Sequence, residues 1–335
     1  MARIFSGIQP TGIATLGNYL GALRNWVDLQ QGEDECVYCL VDMHAITVFQ
    51  SPAALREQTY TIAALLLACG IDPARSILFH QSAVPAHVRL SWIFNCVARM
   101  GWLKRMTQFK DKAGKHQEEV STGLFVYPNL MAADIHAYHA TKVPVGDDQL
   151  QHIELANDIA EKFNHDFGVS FFPRIEALVL KETARVMSLR DGTKKMSKSD
   201  PSDQSRINMT DDADAIAQKI RRAKTDPEPL PDNIAALAER PEARNLLGIF
   251  AAVSGESQEA VLARFAGSGF GPFKEKLADA LIAHIAPITE RTHTYLADKA
   301  ELDRILQAGA RRAAAIANPI VAEAEKIIGF LPGIA

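Results

Sequence analysis

Cysteine is scarce in this chain, with four residues among 335. Cys36 and Cys39 have the spacing of a zinc-binding pair, but no second close pair completes a tetrahedral site. Both lie in the apolar run CVYCLV, which is typical of a buried strand. We therefore interpret Cys36, Cys39, Cys69 and Cys96 as thiols in a reducing compartment and predict no metal site.

Long apolar runs and targeting signals are also missing. No run approaches the roughly 20 apolar residues that span a bilayer, and the N-terminus MARIFSGIQP lacks a basic-then-apolar signal. We expect a cytoplasmic protein with no membrane partner. Hydrophobic residues make up 47%, charged residues 23%, and the formal net charge is −4. This composition indicates a sizeable core and leaves nucleic-acid binding open, because phosphate contacts depend on local patches.

The common fingerprints of nucleotide and zinc enzymes are absent. The sequence contains no GxGxxG after a strand, no GxxxxGK[ST] and no HExxH. A nucleotide site in this chain must therefore use another device.

What is present is an alternation of short apolar runs with longer amphipathic segments over the first 200 residues or so. RIFSGI, CVYCLVDMHAIT, SILFHQS and KVPVG are typical of strands, and helices are predicted near 18–30, 52–70 and 149–164. This order predicts an α/β domain with a doubly wound parallel sheet of the Rossmann-like kind. Ligands bind such sheets beyond the carboxyl ends of the strands.

The composition changes after residue 205. Every longer segment beyond it has a helical pattern, and none resembles a strand. We predict a nucleotide-binding catalytic domain at 1–205, followed by a helical domain at 206–335.

The first turn, SGIQPTGIATLGN, is the candidate phosphate site. Gly7, Gly12 and Gly17 would let backbone approach a ligand closely, and Asn18 lies where a helix N-terminus attracts an anion. A plain connection between strand and helix is the alternative.

A second unusual stretch is TKKMSKSDP, from Thr193 to Pro201. It combines three lysines with three hydroxyl residues, one methionine and a proline. Taken alone, it is better interpreted as a solvated connector than as a phosphate-binding loop.

Together these motifs resemble the signatures of the class I aminoacyl-tRNA synthetases. TLGN, from Thr15 to Asn18, stands where the class carries its HIGH signature, with Thr for the first His and Asn for the last, and KMSKS occupies 195–199. With IFSGIQPTG, VDMHAIT, QSAVPAH, RMTQFKDK, YPNLMAADI and VPVGDDQLQHIEL, the chain is similar to the bacterial-type tryptophanyl branch. The resemblance is densest from residue 3 to residue 200 and weak in the helical part.

The resemblance implies that the chain activates L-tryptophan with ATP, releases pyrophosphate and transfers tryptophan to the terminal adenosine of tRNA(Trp). It also implies a homodimer, an anticodon-binding helical domain that packs back on the catalytic domain, and Mg²⁺ carried by the ATP phosphates. Phosphoryl chemistry of this kind needs groups that position reactants and neutralise charge. The implied catalytic residues are Thr15, Asn18, Lys195 and Lys198.

The implied ATP site draws on three segments of the chain. Lys195 and Lys198 would hold the leaving phosphates, Met196 would anchor a mobile loop, and the acidic pair of GDDQ would face the ribose and the substrate ammonium or cap a helix. The full set is Gln9, Pro10, Thr11, Gly17, Asn18, Gly146, Asp147, Asp148, Gln149, Val186, Lys195, Met196, Ser197, Lys198 and Ser199.

The implied tryptophan site follows from the chemistry of indole, which offers one N–H donor and no acceptor. An apolar pocket with one acceptor is expected, and Met131, Asp134 and Tyr138 share a helical face by their spacing. By resemblance Asp134 accepts the indole N–H; without the resemblance it would be a helix-surface aspartate. The remaining pocket residues are Phe5, Gly7, His44, Tyr127, Met131, Val143, Val145 and Gln149.

Other polar groups carry weaker signals. His136 and His139 lie three residues apart, but with no third ligand nearby a hydrogen-bonded or solvated role is the better interpretation. KIRRAK, from Lys219 to Lys224, and Arg311 with Arg312 could meet tRNA phosphates or form solvated faces.

Two rival functions stay open at this point. A tyrosyl synthetase would share the architecture but would need a donor–acceptor pair for the phenol hydroxyl. A non-catalytic paralogue that senses tryptophan or binds RNA need not keep both phosphate-handling motifs, whereas this chain keeps Lys195, Lys198 and the whole first turn.

Overall fold

The computed structural model describes residues 2–106, 121–146, 149–179, 186–198 and 200–331. At its centre is a five-stranded sheet with the order β3-β2-β1-β4-β5, and every neighbouring pair is parallel. The strands are β1 (Arg3–Ile8), β2 (Glu35–Leu40), β3 (Ile77–His80), β4 (Lys142–Val145) and β5 (Glu176–Val179). The predicted doubly wound α/β fold is confirmed.

Helices surround this sheet. Helix α1 is a composite of Leu16–Asn18, a π turn at Tyr19–Leu23 and Arg24–Leu29. The helices that follow in the first half are α2 (Asp42–Ala45), α3 (Pro52–Cys69), α4 (Ala86–Val97), α5 (Met100–Leu103), α6 (Thr122–His136) and α7 (Leu150–Asp166). The later helices are α8 (Ala213–Arg222), α9 (Pro241–Ser254), α10 (Gln258–Phe265), α11 (Phe270–Ala297) and α12 (Lys299–Ile327).

Local signals explain several of these boundaries. Ser51 caps α3 by accepting from the backbone N–H of Ala54, and Pro52 follows as the first helical residue. The same helix ends at Gly70, whose φ of 113° is open to glycine and strained for other residues.

One predicted strand is wrong in its bounds, and one strand of the sheet is absent from the prediction. The segment predicted as one strand, CVYCLVDMHAIT, leaves the sheet at Leu40 and turns into α2, where Ala45 N–H donates to the Val41 carbonyl. Strand β5 could not be recognised from the sequence, because its four residues, EALV, are few and begin with a charged side chain. Pairing with β4 holds β5 in the sheet, which is a tertiary effect.

The two faces of the sheet bury different side chains because successive strand residues point to opposite sides. Ile4, Tyr38 and Leu78 belong to one core, together with α3, α8, α9 and α11. Phe5, Val37 and Phe79 belong to the other, together with α4, α6, α7 and α12.

The helical segments beyond residue 206 pack back against the sheet-containing part. Helix α11 lies on α3, and α12 lies along β3. At that contact a Cβ on Gly309 would come within 1.8 Å of the Leu78 carbonyl oxygen, so only glycine allows this approach. The boundary at residue 205 stays a prediction.

Among the described helices, none combines the length and the apolar character that a membrane crossing requires.

Candidate active site

A cavity of about 480 Å³ opens at the carboxyl ends of β1 and β4. The strand order reverses direction between these two strands, which is where parallel α/β sheets bind ligands. The wall of the cavity comes from the first turn, the start of α1, α6 and the end of β4. Val186 and the loop residue Lys195 also contribute to it.

All the residues predicted to hold tryptophan line this cavity. They come from β1, α2, α6, β4 and the start of α7, and they are Phe5, Gly7, His44, Tyr127, Met131, Asp134, Val143, Val145 and Gln149. Gly7 is close to the Val41 side chain, since a Cβ there would lie 2.8 Å from Val41 Cγ1. The tertiary structure thus brings together a set scattered over 145 positions of sequence.

Asp134 is the buried polar centre of this end of the cavity, with 1% of its surface exposed. Its Oδ2 accepts from His44 Nε2 at 2.7 Å. Its Oδ1 accepts from Gln81 Nε2 at 2.6 Å and from His87 Nδ1 at 2.7 Å. The alternative of a helix-surface aspartate is therefore wrong.

The surroundings of Asp134 favour its ionised form. Burial alone would raise the pKa of this carboxyl, but the charge of His44 and the hydrogen bonds from His44 and His87 outweigh burial. The pKa of Asp134 is therefore held below its ordinary value, and the group presents only acceptors.

One prediction about this helix is wrong. Tyr138 does not share a helical face with Met131 and Asp134, because α6 ends at His136 and Tyr138 lies in the following turn. His139, the next residue, has a φ of 46°. The chain reverses there so that β4 can begin at Lys142.

The opposite end of the cavity is built around the start of α1. Thr15 is buried and caps the helix, accepting from the Asn18 backbone N–H at 3.3 Å, while Asn18 Oδ1 accepts from the Thr15 N–H at 3.0 Å and hydroxyl at 3.1 Å. This is a capping box. The Asn18 amide NH₂ makes no hydrogen bond within the described part of the chain, and Asn18 lines the cavity. Asn18 can therefore donate to an anion, whereas Thr15 faces away from the cavity.

The segment after the lysine loop holds this helix start in place. The Leu16 N–H donates to the Ile207 carbonyl at 2.8 Å, and the Met209 N–H donates to the Ala14 carbonyl at 2.9 Å. Part of this end of the cavity is thus assembled from two distant stretches of chain.

The lysine loop packs as a short antiparallel pair. Met187 pairs with Lys195, and the Met196 N–H donates to the Val186 carbonyl at 3.0 Å. Met196 is buried in the core, which matches its predicted anchoring role. Asn245 in α9 ties the loop to the helical region by exchanging two hydrogen bonds with the Met187 backbone, at 2.8 and 3.0 Å.

The two loop lysines are placed differently. Lys195 is exposed and lines the cavity. Lys198 reaches the first turn, where its ammonium donates to the Thr11 carbonyl and to the Thr11 hydroxyl at 3.1 Å. Desolvation there lowers the pKa of Lys198. Gly12 has a φ of 66°, which favours glycine. Its backbone also lies close to the Lys198 side chain, which leaves little room for a Cβ.

The predicted ATP residues divide into three groups. Seven of them line the cavity: Gln9, Gly17, Asn18, Gly146, Gln149, Val186 and Lys195. Five are described but do not line it: Pro10, Thr11, Met196, Ser197 and Lys198. Asp147, Asp148 and Ser199 lie outside the described residues.

Some lining residues are missing from the sequence prediction. They are Ser6, Ile8, Gly21, Ala22, Trp26, Val41, Ile135 and Pro144. Ser6, Ile8, Ile135 and Pro144 are neighbours of predicted residues, so extending each motif by one residue would have found them. Gly21 and Ala22 lie in the π turn of α1, a local widening that only the structure reveals.

Known proteins share both the fold and the motifs. The model of the family described as class I tRNA synthetases (W and Y) matches residues 1–286. A tryptophan–tRNA ligase of Caulobacter vibrioides is 57% identical over 329 residues, which cover 98% of this chain and 95% of that protein. The chain belongs to the class I tRNA synthetases, in their bacterial tryptophanyl branch.

Solved structures of this branch superpose closely. Tryptophanyl-tRNA synthetase from Mycoplasma pneumoniae has a TM-score of 0.87 at 31% identity, with 99% of this chain and 98% of that chain covered. The enzyme from Campylobacter jejuni, in complex with ADP and tryptophan, has a TM-score of 0.85 at 33% identity, covering 98% of this chain and 100% of that one.

Two residues of the basic clusters have partners within the chain. Lys219 is buried and pairs with Asp203 at 2.7 Å and Asp211 at 2.6 Å. Arg312 donates to the carbonyls of Pro73 and Ser76, at 2.7 and 3.0 Å. These two side chains hold the fold together. Arg221, Arg222 and Arg311 are exposed.

The histidine and cysteine predictions can be placed in the same way. His136 is buried and its Nε2 donates to the Ala156 carbonyl at 3.2 Å, which matches the hydrogen-bonded interpretation. Cys36 and Cys39 are buried thiols of β2, and Cys69 and Cys96 are also unpaired. No three His, Cys, Asp or Glu side chains come together as a metal site in the described ranges.

Proposed function

We propose that this chain, as a tryptophan–tRNA ligase, binds tryptophan at the Asp134 end of the cavity and ATP at the end formed by the first turn and the lysine loop. The observation that carries the proposal is that one cavity joins a buried acceptor, Asp134, to an exposed lysine, Lys195. The Campylobacter jejuni relative, which holds ADP and tryptophan, supports the pairing of ligands.

The indole ring lies among Phe5, Met131, Val143 and Val145, and its N–H donates to Asp134. An apolar wall with one acceptor matches the single donor of indole. A ring without an N–H leaves one acceptor position of the buried carboxylate unused, and such a missing hydrogen bond gives discrimination. His44, Tyr127 and Gln149 hold the amino and carboxylate groups of the substrate.

ATP lies across the start of α1. The Asn18 amide donates to a phosphate oxygen, and the helix N-terminus adds its own partial positive charge. Thr15 acts through Asn18, because its capping bonds occupy the Asn18 oxygen and turn the NH₂ group to the cavity. Gln9, Gly17, Gly146, Gln149 and Val186 complete the wall on which the nucleotide rests.

In the first step a carboxylate oxygen of tryptophan attacks the α-phosphorus of ATP. The bond to the bridging oxygen breaks, pyrophosphate leaves with the electron pair, and tryptophanyl-adenylate forms. Lys195 and Lys198 neutralise the charge that grows on the leaving group. In this step Lys198 moves from Thr11 to the phosphates. The move is possible because its ammonium donates to one residue, Thr11, and its side-chain stem is flexible.

In the second step the 2′-hydroxyl of the terminal adenosine of tRNA(Trp) attacks the carbonyl carbon of the adenylate, and AMP leaves. The helical domain binds the anticodon, and Arg221, Arg222 and Arg311 are among the exposed cations of its basic clusters.

Magnesium fits this site as a companion of the nucleotide. Asp134 is the only carboxylate among the described lining residues, and His44, Gln81 and His87 already occupy it. The described wall therefore suits an ion that arrives on the ATP phosphates, where it shields their charge.

We further infer a cytoplasmic homodimer. An exposed apolar stripe on α4 supports the second copy, since Val88 and Trp92 are 50% and 65% exposed and lie one turn apart, followed by exposed Cys96. Four free thiols suit a reducing compartment.

The test is amino-acid-dependent exchange between ATP and labelled pyrophosphate, with all twenty amino acids in parallel. Exchange with tryptophan alone is expected. Exchange with tyrosine would favour the tyrosyl rival, and no exchange from folded, ATP-binding protein would favour a non-catalytic sensor.

A further inference from the structure

Two side chains that do not line the cavity donate hydrogen bonds to Asp134. Gln81 follows β3 directly, and His87 lies in the first turn of α4. Both are completely buried, and both donate to the same oxygen of Asp134, Oδ1.

The two oxygens of Asp134 therefore differ. A carboxylate oxygen has two lone pairs, so Oδ1 is saturated by Gln81 and His87. Oδ2 accepts only from His44, among the described residues, and His44 itself lines the cavity. One lone pair of Oδ2 is thus left on the cavity side, and a ligand N–H can use it.

The Gln81 amide has only one orientation that satisfies its partners. Its Oε1 accepts from the Met43 N–H at 3.1 Å, which leaves its NH₂ group for Asp134. Met43 and His44 are consecutive residues of α2, so Gln81 also holds the short helix that carries the other donor to Asp134.

The His87 ring is fixed on both sides. Its Nε2 lies 2.8 Å from the Tyr138 hydroxyl. Burial raises the pKa of Tyr138, so the phenol keeps its proton and donates it to Nε2. The ring hydrogen then resides on Nδ1, where it donates to Asp134.

We propose that Gln81 and His87 are positioning residues for tryptophan selection. By occupying Oδ1 they hold the carboxylate rotated so that Oδ2 faces the indole N–H. This proposal rests on the proposed role of Asp134 as the indole acceptor and adds two residues that never touch the substrate.

Removing one donor lets the carboxylate turn or take up a proton, because a buried charge with fewer donors is less stable. The loss should fall on substrates with a ring N–H. A suitable probe is 3-(3-benzothienyl)alanine, whose sulfur replaces the indole N–H in a ring of similar shape.

The experiment compares His87→Leu with His87→Asn in the full chain. Leucine removes the donor, whereas the asparagine NH₂ stands close to the place of Nδ1–H and keeps it. Pyrophosphate exchange is measured with tryptophan and with the benzothienyl analogue, together with the KM for ATP.

His87→Leu should lower kcat/KM for tryptophan by about tenfold or more, mainly through KM. The value for the analogue and the KM for ATP should change by less than about threefold, and His87→Asn should recover most of the loss. Gln81→Met, which removes the other donor, should reproduce the preference change.

The ratio between the two substrates does not depend on how much protein is folded. An equal loss for both substrates, or an unchanged ratio in folded His87→Leu and Gln81→Met, would show a purely structural network and overturn the proposal. If the wild type shows no tryptophan-dependent exchange, the proposed function itself fails and takes this inference with it. A wild type that uses both substrates equally well would instead remove Asp134 as the indole acceptor.

Discussion

The two ends of the cavity are built on opposite physical principles. At the proposed tryptophan end, Asp134 is 1% exposed and three side chains donate to its oxygens. At the proposed phosphate end, Lys195 and Lys198 are exposed, and neither forms an ion pair with a carboxylate in the described part of the chain. The buried carboxylate at one end has fixed hydrogen-bond partners, whereas the exposed lysines at the other end can change partners.

This difference teaches how one cavity can both select and react. Selection needs a buried group whose position is settled before the ligand arrives, because an unpaired buried charge is costly. Reaction needs cations that meet charge as it develops and then release the product, which exposed lysines on a loop can do. Changes at the two ends should therefore affect different kinetic parameters.

The largest expected effect is at the phosphate end. Lys195→Ala and Lys198→Ala should each lower the rate of tryptophanyl-adenylate formation by roughly 10²-fold or more, because a charge that stabilises the leaving pyrophosphate is lost. Tryptophan affinity should change little. Single-turnover adenylate formation and equilibrium binding of tryptophan measure the two quantities.

The same loop offers a matched control. Lys194 is exposed, pairs with Asp191 at 3.2 Å and does not line the cavity. Lys194→Ala should leave adenylate formation within about threefold of the wild type. Normal turnover in Lys198→Ala would remove that residue from the reaction.

The second effect is at the tryptophan end. Asp134→Ala should weaken tryptophan binding by about tenfold or more, or relax the preference over tyrosine and phenylalanine, because the acceptor for the indole N–H is gone. The KM for ATP should stay close to that of the wild type. Calorimetric titration with the three amino acids measures the preference.

Asp158→Ala on α7 is a suitable comparison, since Asp158 is exposed and lies outside the cavity lining. An unchanged preference in folded Asp134→Ala would exclude the carboxylate from the pocket, and with it the contrast between the two ends.

A smaller effect concerns stability on the side of α6. Burial lowers the pKa of His136 to about 4 from 6.5, so the unfolded chain binds a proton that the folded chain does not. The contribution of neutral His136 to the free energy of unfolding is fully present above pH 6.5. It is lost as the pH falls toward about 4, by up to roughly 3 kcal/mol.

Urea unfolding between pH 7 and pH 4 tests this dependence. His136→Gln should flatten the acid side of the profile, whereas His165→Gln, at an exposed position, should not. An acid side of equal slope in His136→Gln would assign the loss to other groups.

The smallest expected effect is that of zinc removal. Cys36 and Cys39 are buried in β2 with free thiols, so a zinc-selective chelator with magnesium in excess should leave the exchange rate unchanged. Metal analysis before and after treatment checks it. Loss of one bound zinc ion together with activity would overturn the interpretation of the cysteines.

Local patterns predicted much of the fold and less of the site. Gly70 and Ser51 marked the ends of α3 because their chemistry acts on adjacent backbone, and RIFSGI marked β1 by its apolar run. β5 escaped because its four residues become a strand only beside β4. Thr15 was predicted as catalytic through its motif, while the structure shows a buried helix cap.

The network behind Asp134 escaped for the same reason. Gln81 and His87 begin and end the segment QSAVPAH, but that segment carried no predicted role for either side chain, and they lie 53 and 47 residues from Asp134 in sequence. Nothing in the order of residues indicates that their donors meet on one oxygen.

The sequence by itself determined the alternation of strands and helices, the two phosphate-handling motifs and the family, since each depends on residues close together in the chain. Only the tertiary structure decided which donors meet on each oxygen of Asp134, that Lys198 donates to Thr11, and that Lys219 and Arg312 serve the fold. The physical reason is that hydrogen bonds and burial depend on distances in space, and the parallel sheet brings distant residues to the same strand ends.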